Sequence, residues 1–304
     1  IATKNRPQHL FKCLTSLSKS SYRNFETIVV YQGSVDVPDL ECKAFSVPSI
    51  RHIVARAGGK ARALNAGIRI ARGEILAFTD DDCIVDTSWL ATIERSLTQH
   101  TSVTAVFGKT LPYKPHGHDG LICPCTFSKT ESVTITQPAL HSKYIGFGNN
   151  MAIRTSIYKS VGMFKEWLGP GSIGSNAEDA EFALRLLICG KKIAYNPKSI
   201  VYHNKWLTPK EMFRQNLSYC CGEMACYSYF HFQGQRFATS IVSGNVIDSY
   251  RKTKANLKNL LLFRWGGDSV RAFAATGVEV WYRLRGLIVG YIYTLIDPIG
   301  CVPS

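Results

Sequence analysis

The sequence predicts an α/β fold, a mainly parallel central sheet flanked by helices, followed by a helical C-terminal region. Three observations predict it. Through the first two-thirds, short apolar runs of strand length alternate with segments whose apolar residues recur at helical spacing. The 304 residues are 45% hydrophobic and 19% charged, enough apolar material for a substantial core and unlike a disordered or fibrous chain. Beyond Trp206 the alternation stops and helical patterns alone remain. The expected division is therefore residues 1–206 and 207–304.

In chain order, Ala2-Thr3 ends a first strand that reads as truncated, because Ile1 already lies inside an element under way. Arg6-Pro7 opens a helix, since a first-turn amide has no intrahelical partner to lose, and Leu10, Phe11, Leu14 and Leu17 give it an apolar face. Residues 25–31 are a buried strand ending in the turn Gln32-Gly33-Ser34, and 50–55 a shorter one. Residues 60–71 place Ala63, Leu64, Gly67, Ile68 and Ala71 on one helical stripe that Arg72-Gly73 terminates. Residues 75–79 form the fourth strand and run straight into Asp80, Asp81 and Asp82.

Residues 84–99 read as a helix, 103–108 and 144–154 as strands, and 156–161 as a helix. The segment 112–142, rich in Pro, Gly, His and Ser, reads as a mobile flap. Residues 169–176 (GPGSIGSN) are a flexible loop, followed at once by Glu178, Asp179 and a helix, and 195–203 close the core with a turn and a strand.

A formal charge of +14 and a pI near 9.4 imply attraction to something anionic: nucleotide phosphates, a membrane surface or nucleic acid. No nucleic-acid-binding motif accompanies the charge, so nucleic acid is not the expected partner. Lys and Arg residues between 214 and 285 alternate with aromatics, which suits peripheral contact with an anionic membrane as well as a plain solvated helical face. The apolar run 287–296 falls short of the ~20 residues that a membrane-spanning helix needs. Ten cysteines lack the spacing of a disulfide scaffold, so free thiols in a reducing compartment are expected. His116, His118, Cys123 and Cys125 have zinc-ligand chemistry, but their spacing matches no common zinc module, and a Pro-containing surface loop is the plainer reading.

The acidic triplet raises a physical question. Like charges one residue apart repel, and each carboxylate prefers water to the mouth of a hydrophobic strand, so a cation is expected among them. Open α/β sheets bind ligands at the carboxyl ends of their strands. Asp80 and Asp82 offer hard oxygen ligands suited to Mn2+ or Mg2+, which leave positions open to phosphate oxygens. The triplet would also serve as an N-cap cluster for the helix that follows.

Seven pieces lie in order along residues 1–206: Thr3-Lys-Asn5-Arg6-Pro7, residues 28–36, Gly59 to Gly67, Arg72 to Asp82, Gly148-Asn149-Asn150-Met-Ala152, Val161 to Phe164, and Glu178-Asp179 through Arg185, Gly190, Pro197 and His203. Together they resemble the inverting glycosyltransferases of the family 2 type, which have the GT-A (nucleotide-diphospho-sugar transferase) fold. The resemblance implies metal-dependent inverting transfer of a sugar from a nucleotide diphosphate sugar, most plausibly UDP-linked, to a saccharide or lipid-linked acceptor. With free thiols and a basic, aromatic C-terminal region, the chain is expected to be cytoplasmic, peripheral at the inner face of the cell membrane.

Residue by residue, the resemblance implies nucleotide-sugar contacts from Thr3, Asn5, Arg6, Gln32, Lys60, Asn65, Asp80 and Asp81. It implies Mn2+ or Mg2+ at Asp80, Asp82 and His203, with Asp82 directly on the metal and Asp80 nearer ribose or a metal-bound water. For His203, a satisfied histidine at a strand end is an equal reading. Asp179 matches the catalytic base and Glu178 is the runner-up, although either acid also suits the first turn of a helix. Acceptor contacts fall to Asn149, Asn150 and Trp167, whose ring would stack on a sugar. One departure concerns the base: Tyr31-Gln32 stands where most relatives have two acids, and an amide donates as well as accepts. Two rival readings are a non-catalytic sugar-nucleotide-binding relative, against which Asp80, Asp82 and Asp179 count, and a basic nucleic-acid-binding protein.

Overall fold

The computed structural model describes residues 1–33, 48–55, 58–138, 145–261 and 267–299. Ser34, residues 35–36, 42, 139–144 and 301, and Arg264 lie outside them. The chain forms two compact units, one of Ile1–Glu166 with Glu178–Met212 and one of Trp167–Ala177 with Phe213–Ile299.

In the first unit, β1 (Ala2–Thr3), β2 (Thr27–Tyr31) and β3 (Ile50–Val54) make a wholly parallel sheet in that order. A second, six-stranded sheet contains β4 (Ile75–Phe78), β5 (Cys83–Val85), β6 (Val103–Pro112), β7 (Val133–Ile135), β8 (Met151–Arg154) and β9 (Lys192–His203). Its order is β4-β8-β6-β9-β5, with β7 also on β9; β6 and β9 run parallel and the remaining pairs antiparallel. The helices are α1 (Pro7–Ser18), α2 (Lys60–Ile70), α3 (Trp89–Gln99), α4 (Ile157–Val161) and α5 (Glu178–Ile188).

Alternation along the strands assigns two cores. On β8, Met151 and Ile153 join Leu64 of α2, Phe107 and Phe182 of α5, whereas Ala152 joins Leu10 and Leu14 of α1 and Trp89 and Leu97 of α3. A register shift between Val103 and Ala105 lets Val103 and Val106 share the second core. Inside α5, the ion pair Arg185–Glu181 is fully buried at 2.7 Å, and Arg185 also donates to the carbonyls of Val161 and Met163.

Four boundaries differ from the sequence expectation. The helix expected over 84–99 begins only at Trp89, because Ser88 folds back onto Asp86 Oδ1 through both N and Oγ, at 2.9 and 2.7 Å, and β-branched Ile84 and Val85 pair with β9. The strand expected over 144–154 starts at Met151, after a 3-10 turn over Gly148–Asn150. β6 runs on to Pro112, and β9 begins at Lys192 rather than 195. The expected flap is tied down within its described part, by β7 and by the bridges Thr110↔Phe127 and Ile122↔Leu207.

The second unit holds α6 (Pro209–Phe232) from Phe213 on, α7 (Arg236–Leu261) and α8 (Gly267–Ile296). Two glycines let α8 lie against α6: a Cβ on Gly286 would stand 2.3 Å from the Cys221 carbonyl, and one on Gly290 2.4 Å from that of Ala225. Among the described residues no helix is long and apolar enough to cross a membrane. Among the described residues seven cysteines are free thiols, and Cys189, disulfide-bonded, is an exception to the expectation.

Candidate active site

Protein cations meet the triplet. Asn5, in the left-handed region at φ 54°, turns the chain from β1 into α1 and accepts from Tyr31 OH at 3.2 Å. Behind it, Arg6 Nη2 lies 2.8 Å from Asp81 Oδ1, and Nη1 donates to Asp82 Oδ2 at 2.9 Å. Thr3, at the end of β1, donates from Oγ1 to Asp81 Oδ2 at 2.6 Å. Lys60, the first residue of α2, places Nζ 2.7 Å from Asp80 Oδ1 and 3.3 Å from Glu178 Oε1. The repulsion posed by three adjacent acids is thus offset within the chain, and the same lysine draws the start of α5 to the triplet.

β5 brings in the histidine. Cys83 stands opposite His203 in the β5–β9 register, so the residue before it, Asp82, comes within 3.3 Å of His203 Nε2 through Oδ1. His203 Nδ1 is 2.7 Å from the Pro124 carbonyl, which only accepts, so the Nδ1 proton is fixed there and Nε2 faces Asp82. Cys123 Sγ donates to the His203 carbonyl at 3.4 Å. The loop HGHDGLICPC therefore backs His203. Its own histidines and cysteines do not form a metal cluster among the described residues, where Asp82, Cys83 and His203 form the one such group. His118 instead stacks on Trp206 at 4.1 Å.

Burial and charge set the titration of these groups. Burial resists ionisation of Asp82, but the close approach of His203, and then Arg6, holds its carboxyl well below the usual range. Burial likewise opposes the His203 cation, yet Asp82 outweighs it and pushes the imidazole up to about 10. Burial raises Asp81 to about 6, against Arg6 and Thr3, and raises Glu178 to about 7, against Lys60. Lys60 rises well above its ordinary value because Asp80 and Glu178 outweigh its own burial.

The donor set fits a divalent ion. Asp82 Oδ1 and His203 Nε2 face each other at 3.3 Å in a buried pair, and a divalent ion held by both would displace the second proton that Asp82 keeps on the imidazole, leaving the Nδ1 proton on the Pro124 carbonyl. Asp80 is turned toward Lys60.

At the first turn of α5, Asp179 Oδ2 accepts from the Gly148 amide at 2.6 Å and Oδ1 from the Ala180 amide at 2.8 Å. Gly148 is needed there, since a Cβ would stand 2.9 Å from Asp179 Cβ. Gly148, Pro124 and Cys83 are positions that sequence reasoning left without a role of their own; Gly148 stood in a matching piece, Pro124 in the HGHDGLICPC loop, and Cys83 directly after the triplet.

The other expected site residues are held by the following contacts. Gln32, buried, donates from Nε2 to the Gly59 carbonyl at 2.9 Å, tying the end of β2 to the approach to α2. Asn65 exchanges two hydrogen bonds with the Phe164 backbone, at 2.9 and 3.1 Å, and donates to Glu166 at 3.2 Å, so its amide fixes the segment 164–166. Asn149 accepts from Thr110 at 3.1 Å. Asn150, 1% exposed, accepts from Trp89 Nε1 and donates to the carbonyls of Lys109 and Ser199, which leaves it a packing hub between strands. Trp167 belongs to the second unit, buried with one ring face stacked on Tyr293 at 4.5 Å and Tyr229 beside it, so that face is closed to a sugar.

Residues 1–162 match the family model described as Glycosyl transferase family 2. The chain is similar to Glycosyltransferase GlyG of Streptococcus pneumoniae serotype 4, at 32% identity over 112 residues, covering 36% of this chain and 37% of that protein. Glycosyltransferase GlyA of the same strain is 30% identical over 104 residues, covering 34% and 15%. The chain thus spans well under half the length of these curated relatives. Among solved structures, the mannosyltransferase PcManGT from Pyrobaculum calidifontis in complex with GDP-Man and Mn2+ superposes with a TM-score of 0.61 at 17% identity, covering 97% of this chain and 86% of that one. S. aureus TarS 1-349 in complex with UDP-GlcNAc gives a TM-score of 0.50 at 17% identity, covering 73% and 65%. At such identities the likeness is one of fold.

Proposed function

Because the chain belongs to glycosyl transferase family 2, has the GT-A fold and is therefore a glycosyltransferase, we propose that it transfers a sugar with inversion from a nucleotide diphosphate sugar, with the help of a divalent ion. The donor in this reading is UDP-linked, and the acceptor is a saccharide or lipid-linked hydroxyl met at the cytoplasmic face of a membrane. The observation that carries it is Lys60, whose ammonium lies between Asp80 and Glu178 and so joins the triplet to the start of α5. The nucleotide sugars named for the two solved neighbours, UDP-GlcNAc and GDP-Man with Mn2+, support the donor class.

In this reading Asp179 accepts the proton of the acceptor hydroxyl as that oxygen attacks the anomeric carbon. The bond to the diphosphate breaks on the opposite face, and the diphosphate leaves with the electron pair. The amides of Gly148 and Ala180 hold the Asp179 carboxylate oriented before the acceptor arrives. Asp82 and His203 would hold Mn2+ or Mg2+, which when bound offsets charge developing on the departing diphosphate. Lys60 and Arg6, already at the triplet, are the chain's own cations for phosphate oxygens. Glu178, buried against Lys60, sets the position of that cation.

The test is a panel of nucleotide sugars scored for Mn2+-dependent thermal stabilisation, because a ligand that binds only the native state raises its apparent stability. At least one should stabilise the chain with Mn2+, and Asp82→Asn should lose the metal-dependent part. No stabilisation by any donor, with or without metal, would sink the donor site.

A further inference from the structure

α8 is apolar on its outward side as well as its inward one, where Val289 is buried and Tyr293 stacks on Trp167. Several of its polar groups face the unit: Arg283 pairs with Glu279 at 2.9 Å, Lys252 of α7 reaches Glu279 at 3.3 Å, and Thr276 accepts from Asn256 at 2.7 Å. Gly286 and Gly290 lie on α6. The outward side presents Val278, Trp281, Leu284, Ile288, Tyr291 and Leu295, each 41% to 68% exposed and recurring every three or four residues. This stripe is about 26 Å long at 1.5 Å per residue. From Val270 to Ile296, the one charged residue classed as exposed is Arg271. Contiguous apolar surface of this kind marks an interaction site.

We propose that the outward face of α8 beds into the boundary between headgroups and acyl chains of an anionic lipid bilayer. The proposal rests on the membrane-surface part of the reading above and not on its chemistry. The helix is not apolar enough to cross a membrane, and a single apolar stripe on such a helix suits the plane of the interface. Trp281 and Tyr291 are the residue types that settle at that depth. Charge selects the occupant. Phe213–Ile299 holds ten Lys and Arg against five Asp and Glu. On α7, Arg251, Lys254 and Lys258 are exposed and outside any ion pair among the described residues. A second copy would bring its own +14 against this charge, whereas anionic headgroups attract it.

The 304-residue chain is mixed with vesicles of phosphatidylcholine alone, or of phosphatidylcholine with phosphatidylglycerol, and the bound fraction is read by co-sedimentation. Binding is expected to the mixed vesicles, weakened by salt and about tenfold lower on the neutral ones. The pair Trp281→Glu with Ile288→Glu should lower it by at least about tenfold, with the circular dichroism spectrum unchanged because both side chains are exposed; Trp281→Ala, which adds no charge, should lower it less. Absence of binding to either vesicle, or binding indifferent to these substitutions, overturns the proposal. So does a dimer that the same substitutions dissociate. Nucleotide-sugar stabilisation measured on the same samples reports on the donor site separately, so either reading can fail alone.

Discussion

Gly148 has no side chain because Asp179 lies where one would go, and its amide is the donor that aims the Asp179 carboxylate. Gly148→Ala should therefore lower kcat by at least about tenfold while leaving donor-induced stabilisation intact, since small displacements of a reacting group are costly. Comparing steady-state kinetics with thermal shifts separates the two. Glu178 makes a pH prediction. Its folded pKa is raised by burial to about 7, so its contribution to stability is fully present below its ordinary value and is lost as pH rises through 7. Urea unfolding of the metal-free chain should show stability falling over that window, by up to about 1.4 kcal/mol per pH unit for this group, and Glu178→Gln should remove its share of the slope while leaving the part that Asp81, raised to about 6, contributes. That a cation belongs among the three acids was legible in the sequence from their mutual repulsion, and the resemblance named Thr3, Arg6 and Lys60, which the structure brings to them. The packing partners of Asn65, Asn149, Asn150 and Trp167 were not legible. An amide or an indole satisfies a backbone or a ligand equally well, and only the tertiary packing decides which.

Among the elements, β5 was the costliest to misread. Its three residues carry apolar side chains that fit a helix or a strand equally well, and short apolar runs do not declare their period. Pairing with β9 decided the matter, and the same pairing puts His203 beside Asp82. Helices α1 and α2 and strands β2 to β4 were legible within a residue or two, because their periodicity is sustained. Partners of β6 and β9 were not, since strand order follows from long-range contacts that no local pattern encodes. At the α6–α8 contact two magnitudes compete. Alanine improves helix propensity over glycine by about 1 kcal/mol, while overpacking costs about 1–3 kcal/mol. At Gly290 the obstructing atoms include a backbone carbonyl, which does not rotate away. Gly290→Ala should thus destabilise the second unit by about 1 kcal/mol, read as a lower midpoint in urea by circular dichroism.

Across the whole molecule, the chain divides into a two-sheet unit and a helical unit. The excursion of Trp167–Ala177 into the helical unit was not legible, because that segment is Gly- and Ser-rich and carries no periodic signal. The central claim for the molecule joins its two acidic centres: donor and metal at Asp80 and Asp82, proton removal at Asp179. Asp179→Asn tests the join most directly, measured as sugar transfer under saturating donor alongside Mn2+-dependent donor stabilisation. The expected result is unchanged stabilisation with transfer reduced by at least about a hundredfold, the usual worth of a general base. Full transfer by Asp179→Asn would contradict it.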